Sequence, residues 1–168
     1  MAKKKSVSQS DIINAYMEYV LTYDEQPKTV FAFAKNNNME EQKFYEFFTS
    51  FDALEKDIFK IFFDNAHDIL EKSEDYLSFD SRNKLLSFYY TFFEILTANR
   101  SYVIYALEGH KNSLKTLRTL AHLKSRFANY IEHLNIQTID LKQEQLQKLQ
   151  DRSLKESAWL QLLITMKF

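Results

Sequence analysis

The sequence predicts an all-α protein in two parts, and three observations predict it. The 168 residues hold a single glycine, Gly109, and a single proline, Pro27, whereas strands joined by tight turns need many of both. Apolar residues recur at three- and four-residue steps along much of the chain, the spacing of one face of a helix. The breaks between these stretches carry Asn, Ser and Asp, which cap helices or tolerate a left-handed backbone. An apolar content of 45% is enough for a folded core.

Ser10 and Asp11 offer a helix start ahead of Ile12, Ile13, Tyr16, Met17, Val20 and Leu21, so a first helix is expected over about 10–23. Asp24-Glu25-Gln26-Pro27 breaks it. Thr29 caps a second helix with Val30, Phe33 and Ala34 inward, and Asn36-Asn37-Asn38 ends it. A short third helix carries Phe44, Tyr45, Phe47 and Phe48. Ser50 and Asp52 start a long fourth helix with Leu54, Ile58, Phe59, Ile61, Phe62, Ala66, Ile69 and Leu70 on its apolar side. Residues 74–79 read as a connection, and Asp80 or Ser81 caps a very aromatic helix over about 82–98, with Phe88, Tyr89, Tyr90, Phe92 and Phe93. Ser101 caps a short helix through Leu107, followed by Gly109 as a left-handed stop. One long helix is expected over about 112–134, a break at Asn135 to Thr138, and a last helix from about Asp140 to the end. That helix stops inside an apolar pattern, at Met166-Lys167-Phe168, as expected of a chain that lacks a final helix.

The net charge of −1 divides unevenly. Residues 6–54 hold three basic and eight acidic residues, a balance of −5, and residues 55–168 hold 16 basic and 15 acidic ones, a balance of +1. The chain has no cysteine, which excludes disulfides, thiol catalysis and thiolate zinc sites and fits a cytoplasmic protein. No apolar run approaches the roughly 18 residues of a membrane span. Lys3, Lys4 and Lys5 precede no apolar stretch and are no signal peptide; they are either a solvated tail or an arm that touches phosphate. With one glycine no loop can cradle a nucleotide phosphate, and the four histidines show no triad pattern, so neither an enzyme nor a cofactor is expected. Asp64, His67 and Asp68 share a helix face, but nothing marks a ligand from a second element, and no metal site is expected.

Thr29 and Phe33-Ala34-Lys35, the turn at Asn38-Met39, Phe44-Tyr45-Glu46-Phe47-Phe48 and Ser50-Phe51-Asp52-Ala53-Leu54 follow one another without a gap. In that spacing the first 54 or so residues resemble the tetracycline-repressor (TetR) family of bacterial transcriptional regulators. The resemblance implies a three-helix helix-turn-helix domain over 1–54 and a C-terminal helical bundle over 55–168. It implies a homodimer that binds double-stranded DNA and answers to a small apolar or aromatic effector. Asn38 stands where the family usually has Gly and can adopt the same backbone. The DNA contacts implied are Lys28, Thr29, Lys43 and Tyr45, with Lys3, Lys4 and Lys5 as an arm. The pocket implied is aromatic: Phe88, Tyr89, Phe92, Phe93, Tyr102 and Tyr105.

The departures from the family pattern concern charge. Glu40 replaces a small hydroxyl cap, Glu41 and Gln42 stand where Lys and Gly are common, and Glu46 and Phe47 stand where polar residues and His are common. Phe51 replaces a Lys that commonly reaches the DNA backbone. Affinity for DNA comes largely from Lys and Arg on phosphates, so weak binding is expected, and a fold that has lost DNA reading and serves as a ligand-sensing or protein-interaction module is the alternative. Tyr45 is either core or a phosphate contact. The rings of residues 88–93 are either plain core or pocket lining. Lys111, Lys115, Arg118, His122 and Arg126 are expected as one stripe along a single helix, either solvated or facing an anion or partner.

Overall fold

The computed structural model describes residues 7–108, 113–134, 136 and 144–166. Every regular element among them is a helix: α1 Gln9–Tyr23, α2 Val30–Asn36, α3 Glu41–Tyr45, α4 Phe51–Glu71, α5 Glu74–Ser78, α6 Ser81–Ala98, α7 Arg100–Glu108, α8 Ser113–Thr119, α9 Ala121–His133 and α10 Glu144–Thr165. Among the described residues no helix is long and apolar enough to cross a membrane. Lys3, Lys4, Lys5, Gly109 and Lys111 lie outside the described residues, as does most of the expected break at 135–138.

The chain divides into two compact units. The first joins residues 1–59 to residues 99–119, and the second joins residues 60–98 to residues 120–168. The expected boundary at 54/55 thus falls inside α4, and α7 and α8 belong with the N-terminal helices.

Helix starts follow the cap chemistry of the sequence. Thr29 Oγ1 accepts from Ala32 N at 3.1 Å, and Ser50 Oγ accepts from Ala53 N at 3.2 Å; such caps are each worth about 1 kcal/mol. The first helix begins earlier than expected. Ser8, not Ser10, is its cap: its hydroxyl accepts from Asp11 N at 3.2 Å, and the Asp11 carboxylate accepts from the Ser8 N–H at 2.8 Å, which completes a capping box. Asp24 closes α1 with φ 54°, and Asn38 takes φ 52° in the turn between α2 and α3, the left-handed conformation expected of it.

Three further expectations need correction. Residues 74–78 form a short helix rather than a plain connection: Ser73 caps it and Tyr76 is buried. Within α4, Ile69 is exposed and Phe63 takes the buried position beside Phe59 and Phe62. The single helix over 112–134 is two, since Leu120 leaves helical geometry at φ −87° and ψ 3°. Thr119 and Leu120 are both buried, and the Thr119 hydroxyl bonds back to the Lys115 carbonyl at 3.2 Å. Burial of the Thr-Leu pair thus outweighs helix continuity.

The first unit is cored by rings. Phe33, Phe44 and Phe48 are buried, and Phe51 packs among them, stacked on Tyr16 at 5.5 Å and edge-on to Phe33 at 5.4 Å. One charged side chain enters this core. Glu55 accepts a hydrogen bond from the Tyr16 hydroxyl, and burial together with the Glu55 charge pushes the Tyr16 phenol far up from its ordinary value. In the second unit Phe63, Phe88, Phe92, Phe127 and Tyr130 form one cluster, with Phe63–Phe88 centroids 4.7 Å apart and Phe88–Tyr130 centroids 4.8 Å apart. Trp159, Leu162 and Met166 bury one face of α10.

Candidate functional site

Three places carry chemistry: the helix-turn-helix surface in the first unit, an apolar groove in the second, and a polar cavity in the second. On the surface made by α2, its turn and α3, Lys28, Thr29 and Tyr45 are exposed, Tyr45 by 51%. Tyr45 is therefore rim rather than core, while its neighbours Phe44 and Phe48 are fully packed. Lys43, the one cation of α3, does not stand free. It pairs with Glu46, the residue that closes its helix, and lies 5.7 Å from the Phe47 ring centroid. Glu40 precedes α3 without capping it through its side chain, so its carboxylate stays on the surface with Glu46. Phe51, at the position of the phosphate-contacting Lys in the resembled pattern, is only 8% exposed. Fully burying such a ring contributes about 1.5–3 kcal/mol, and its position offers no cation to DNA. Phe31 and Phe47 are exposed beside these charges.

The aromatic residues expected to line a pocket separate. Phe88 and Phe92 are completely buried in the ring cluster. Tyr89 and Phe93, one turn apart on α6 and stacked at 6.1 Å, line a groove of about 410 Å³ together with Leu86, Tyr90, Gln161 and Thr165. Tyr102 is buried in the first unit, where burial holds its phenol well above the ordinary value. Tyr105 lines a concavity of that unit between α1 and α7, beside Val20, Asp24 and Ile104. The six residues thus fall in two units, and only Tyr89 and Phe93 share a groove.

The polar cavity, of about 290 Å³, has no counterpart among the sequence expectations. It is lined by Glu71 and His67 of α4, Tyr76 of α5, Asp80 and Lys84 at the start of α6, and Tyr130 and His133 of α9. These positions are scattered over 67 residues of sequence, and only a run of polar residues at helix ends (Glu71, Asp80, His133) hints at them.

The other two clusters dissolve. Arg126 Nε donates to Asp64 Oδ1 at 2.7 Å, and Lys60 Nζ to Asp64 Oδ2 at 3.0 Å. Burial raises the Asp64 carboxyl, but these two cations outweigh it and hold the group below the usual carboxylate range. Asp64 is thus occupied as an ion-pair partner. His67 stacks on Phe63 with its Nε2 3.7 Å from Glu71. No group of three metal-ligating side chains occurs among the described residues. The expected basic stripe is divided by the break at Leu120, with Lys115 and Arg118 on α8 and His122 and Arg126 on α9.

A family model described as "Tetracyclin repressor-like, C-terminal domain" matches residues 84–168. No curated protein and no solved structure matches the chain.

Proposed function

The chain belongs to the tetracycline-repressor family, and from that premise we propose that it is a cytoplasmic, dimeric transcriptional regulator without a catalytic role. Residues 1–54 read DNA and residues 55–168 bind an apolar or aromatic effector and the second subunit. The observation that carries the DNA role is the capped α2–turn–α3 unit, with Asn38 in the left-handed conformation that the turn needs. Lys28, Thr29 and Tyr45 contact the DNA backbone, and Lys43 does so once its pair with Glu46 opens; Lys3, Lys4 and Lys5 supply the arm. Tyr89 and Phe93 in the α6–α10 groove receive the effector's ring, in keeping with the mostly apolar lining of such sites. The outer face of α10 leaves Leu149, Leu160 and Ile164 exposed, more apolar surface than a solvated helix carries, and this supports its use between subunits.

A gel-shift titration against the region upstream of the chain's own gene tests the DNA role. Binding is expected at about 50 mM salt and should fade by about 200 mM, since phosphate contacts lose affinity with salt. Absence of binding at the lower salt would sink it.

One observation favours a second reading. The internal Lys43–Glu46 pair, the free Glu40 carboxylate and the exposed Phe31, Tyr45 and Phe47 suit a protein partner better than a phosphate backbone. On that reading the fold is kept and DNA reading is lost.

A further inference from the structure

We propose that the polar cavity of the second unit binds a small zwitterion of the α-amino acid class, at a site that shares no lining residue with the aromatic effector groove. The hydrogen bonds already made there fix what the cavity still offers. Tyr130 donates its hydroxyl proton to the Lys84 carbonyl at 3.2 Å. A carbonyl only accepts, so in the Tyr76–Tyr130 hydroxyl pair, 3.0 Å apart, Tyr76 is the donor. Both phenol protons are spent, and the Tyr76 oxygen is left as an acceptor.

His133 is arranged in the same way. Its Nδ1 lies 2.6 Å from the Asn129 carbonyl and therefore carries the proton, so Nε2 of the neutral ring accepts. The Glu71 carboxylate adds acceptors, and Asp80 adds its second oxygen, since Oδ1 caps Asn83 at 2.8 Å. Such a set asks for a ligand rich in N–H donors, and an ammonium group supplies three.

Lys84 asks for the opposite. Its ammonium lies 5.7 Å from the Tyr76 ring centroid, and among the described residues it has no ion-pair partner. A simple amine would be repelled by it, and a simple acid would face Glu71 and Asp80. A molecule that carries both charges a few ångströms apart satisfies both sides. At about 290 Å³ the cavity lies at the small end of ligand sites, which suits a single amino acid rather than a peptide.

The test is calorimetric titration of the full chain with the free amino acids, and then, for any that binds, with its N-acetylated and its decarboxylated forms. At least one free amino acid is expected to bind. Loss of either charge should weaken it about ten- to a hundredfold, the usual effect of a lost hydrogen bond to a charged group. Lys84→Met and Glu71→Gln should each do the same, with unchanged circular dichroism showing that the variants fold; their side chains lie at the rim rather than in the ring cluster. No heat with any amino acid up to millimolar concentration overturns the proposal. So does equal binding of the acetylated or decarboxylated form, or undiminished binding by both variants. Tyr89→Ala should leave amino-acid binding intact; if it abolishes binding, the ligand sits in the effector groove and the cavity proposal fails.

Discussion

The two ring clusters of this protein are built from the same residue type and put to different uses. In the first unit Phe33, Phe44, Phe48 and Phe51 hold short helices around one small core, and nothing but packing is asked of them. In the second unit Phe63, Phe88 and Phe92 are as tightly packed, but the cluster ends in Tyr76 and Tyr130, whose hydroxyls face a polar cavity. The difference teaches that a run of aromatics alone does not distinguish a core from a site. A polar edge that opens on a cavity does, together with the charges that gather around it.

The strongest way to break the comparison is to put the family's Lys back at the first cluster. Phe51→Lys should lower stability by about 3–5 kcal/mol, because it removes a buried ring and brings a charge into the core at its position. Urea denaturation reads this directly; a loss below about 1 kcal/mol would mean that the position is free to serve DNA. In the second cluster, Tyr130→Phe keeps the ring and deletes the hydroxyl, leaving the Tyr76 hydroxyl without its partner and the Lys84 carbonyl with its helical bond alone. A loss of about 1–3 kcal/mol is expected, and wild-type stability would show that the polar edge has no structural part.

The surface of the first unit is sharpened by charge reversal. Changing Glu40, Glu41 and Glu46 together to Lys should raise DNA affinity about tenfold or more at low salt and steepen its salt dependence. An unchanged shift assay would refute the electrostatic account. The smallest effect is expected at Asp64→Asn, at under about 1 kcal/mol for this partly exposed ion pair. The folded carboxyl is held below its unfolded value, so its contribution is full above the ordinary Asp pKa of about 3.9 and is lost as pH falls through the folded one. The stability gap between wild type and variant should therefore be constant near neutrality and shrink in acid.

Much of the helix-turn-helix was legible in the sequence because its determinants are local. Thr29 and Ser50 cap helices that begin at the next residue, Asn38 supplies a positive φ, and Phe44 and Phe48 are one turn apart. The break at Leu120 was not legible, since nothing in residues 112–134 signals a stop, and it follows from tertiary burial. The charge deficit of residues 6–54 could be counted, but the commitment of Lys43 to Glu46 could not. The polar cavity escaped because Glu71, Lys84 and His133 come together only through the packing of α4, α6 and α9.

The buried phenols have one more consequence, in alkaline solution. Of the ten tyrosines, Tyr16, Tyr76, Tyr102 and Tyr130 are almost inaccessible to solvent, and burial pushes each above its ordinary value, whereas Tyr23, Tyr45 and Tyr90 stand well out in water. The buried rings keep their protons as the pH rises while the chain stays folded, whereas an unfolded chain ionises its tyrosines near the ordinary value of about 10. Because an unfolded chain would release those protons, stability falls as pH rises past that value. On a base titration the ultraviolet absorbance of tyrosinate from these four rings should therefore appear together with collapse of the fold. The protein carries its own optical gauge of unfolding, with no label added.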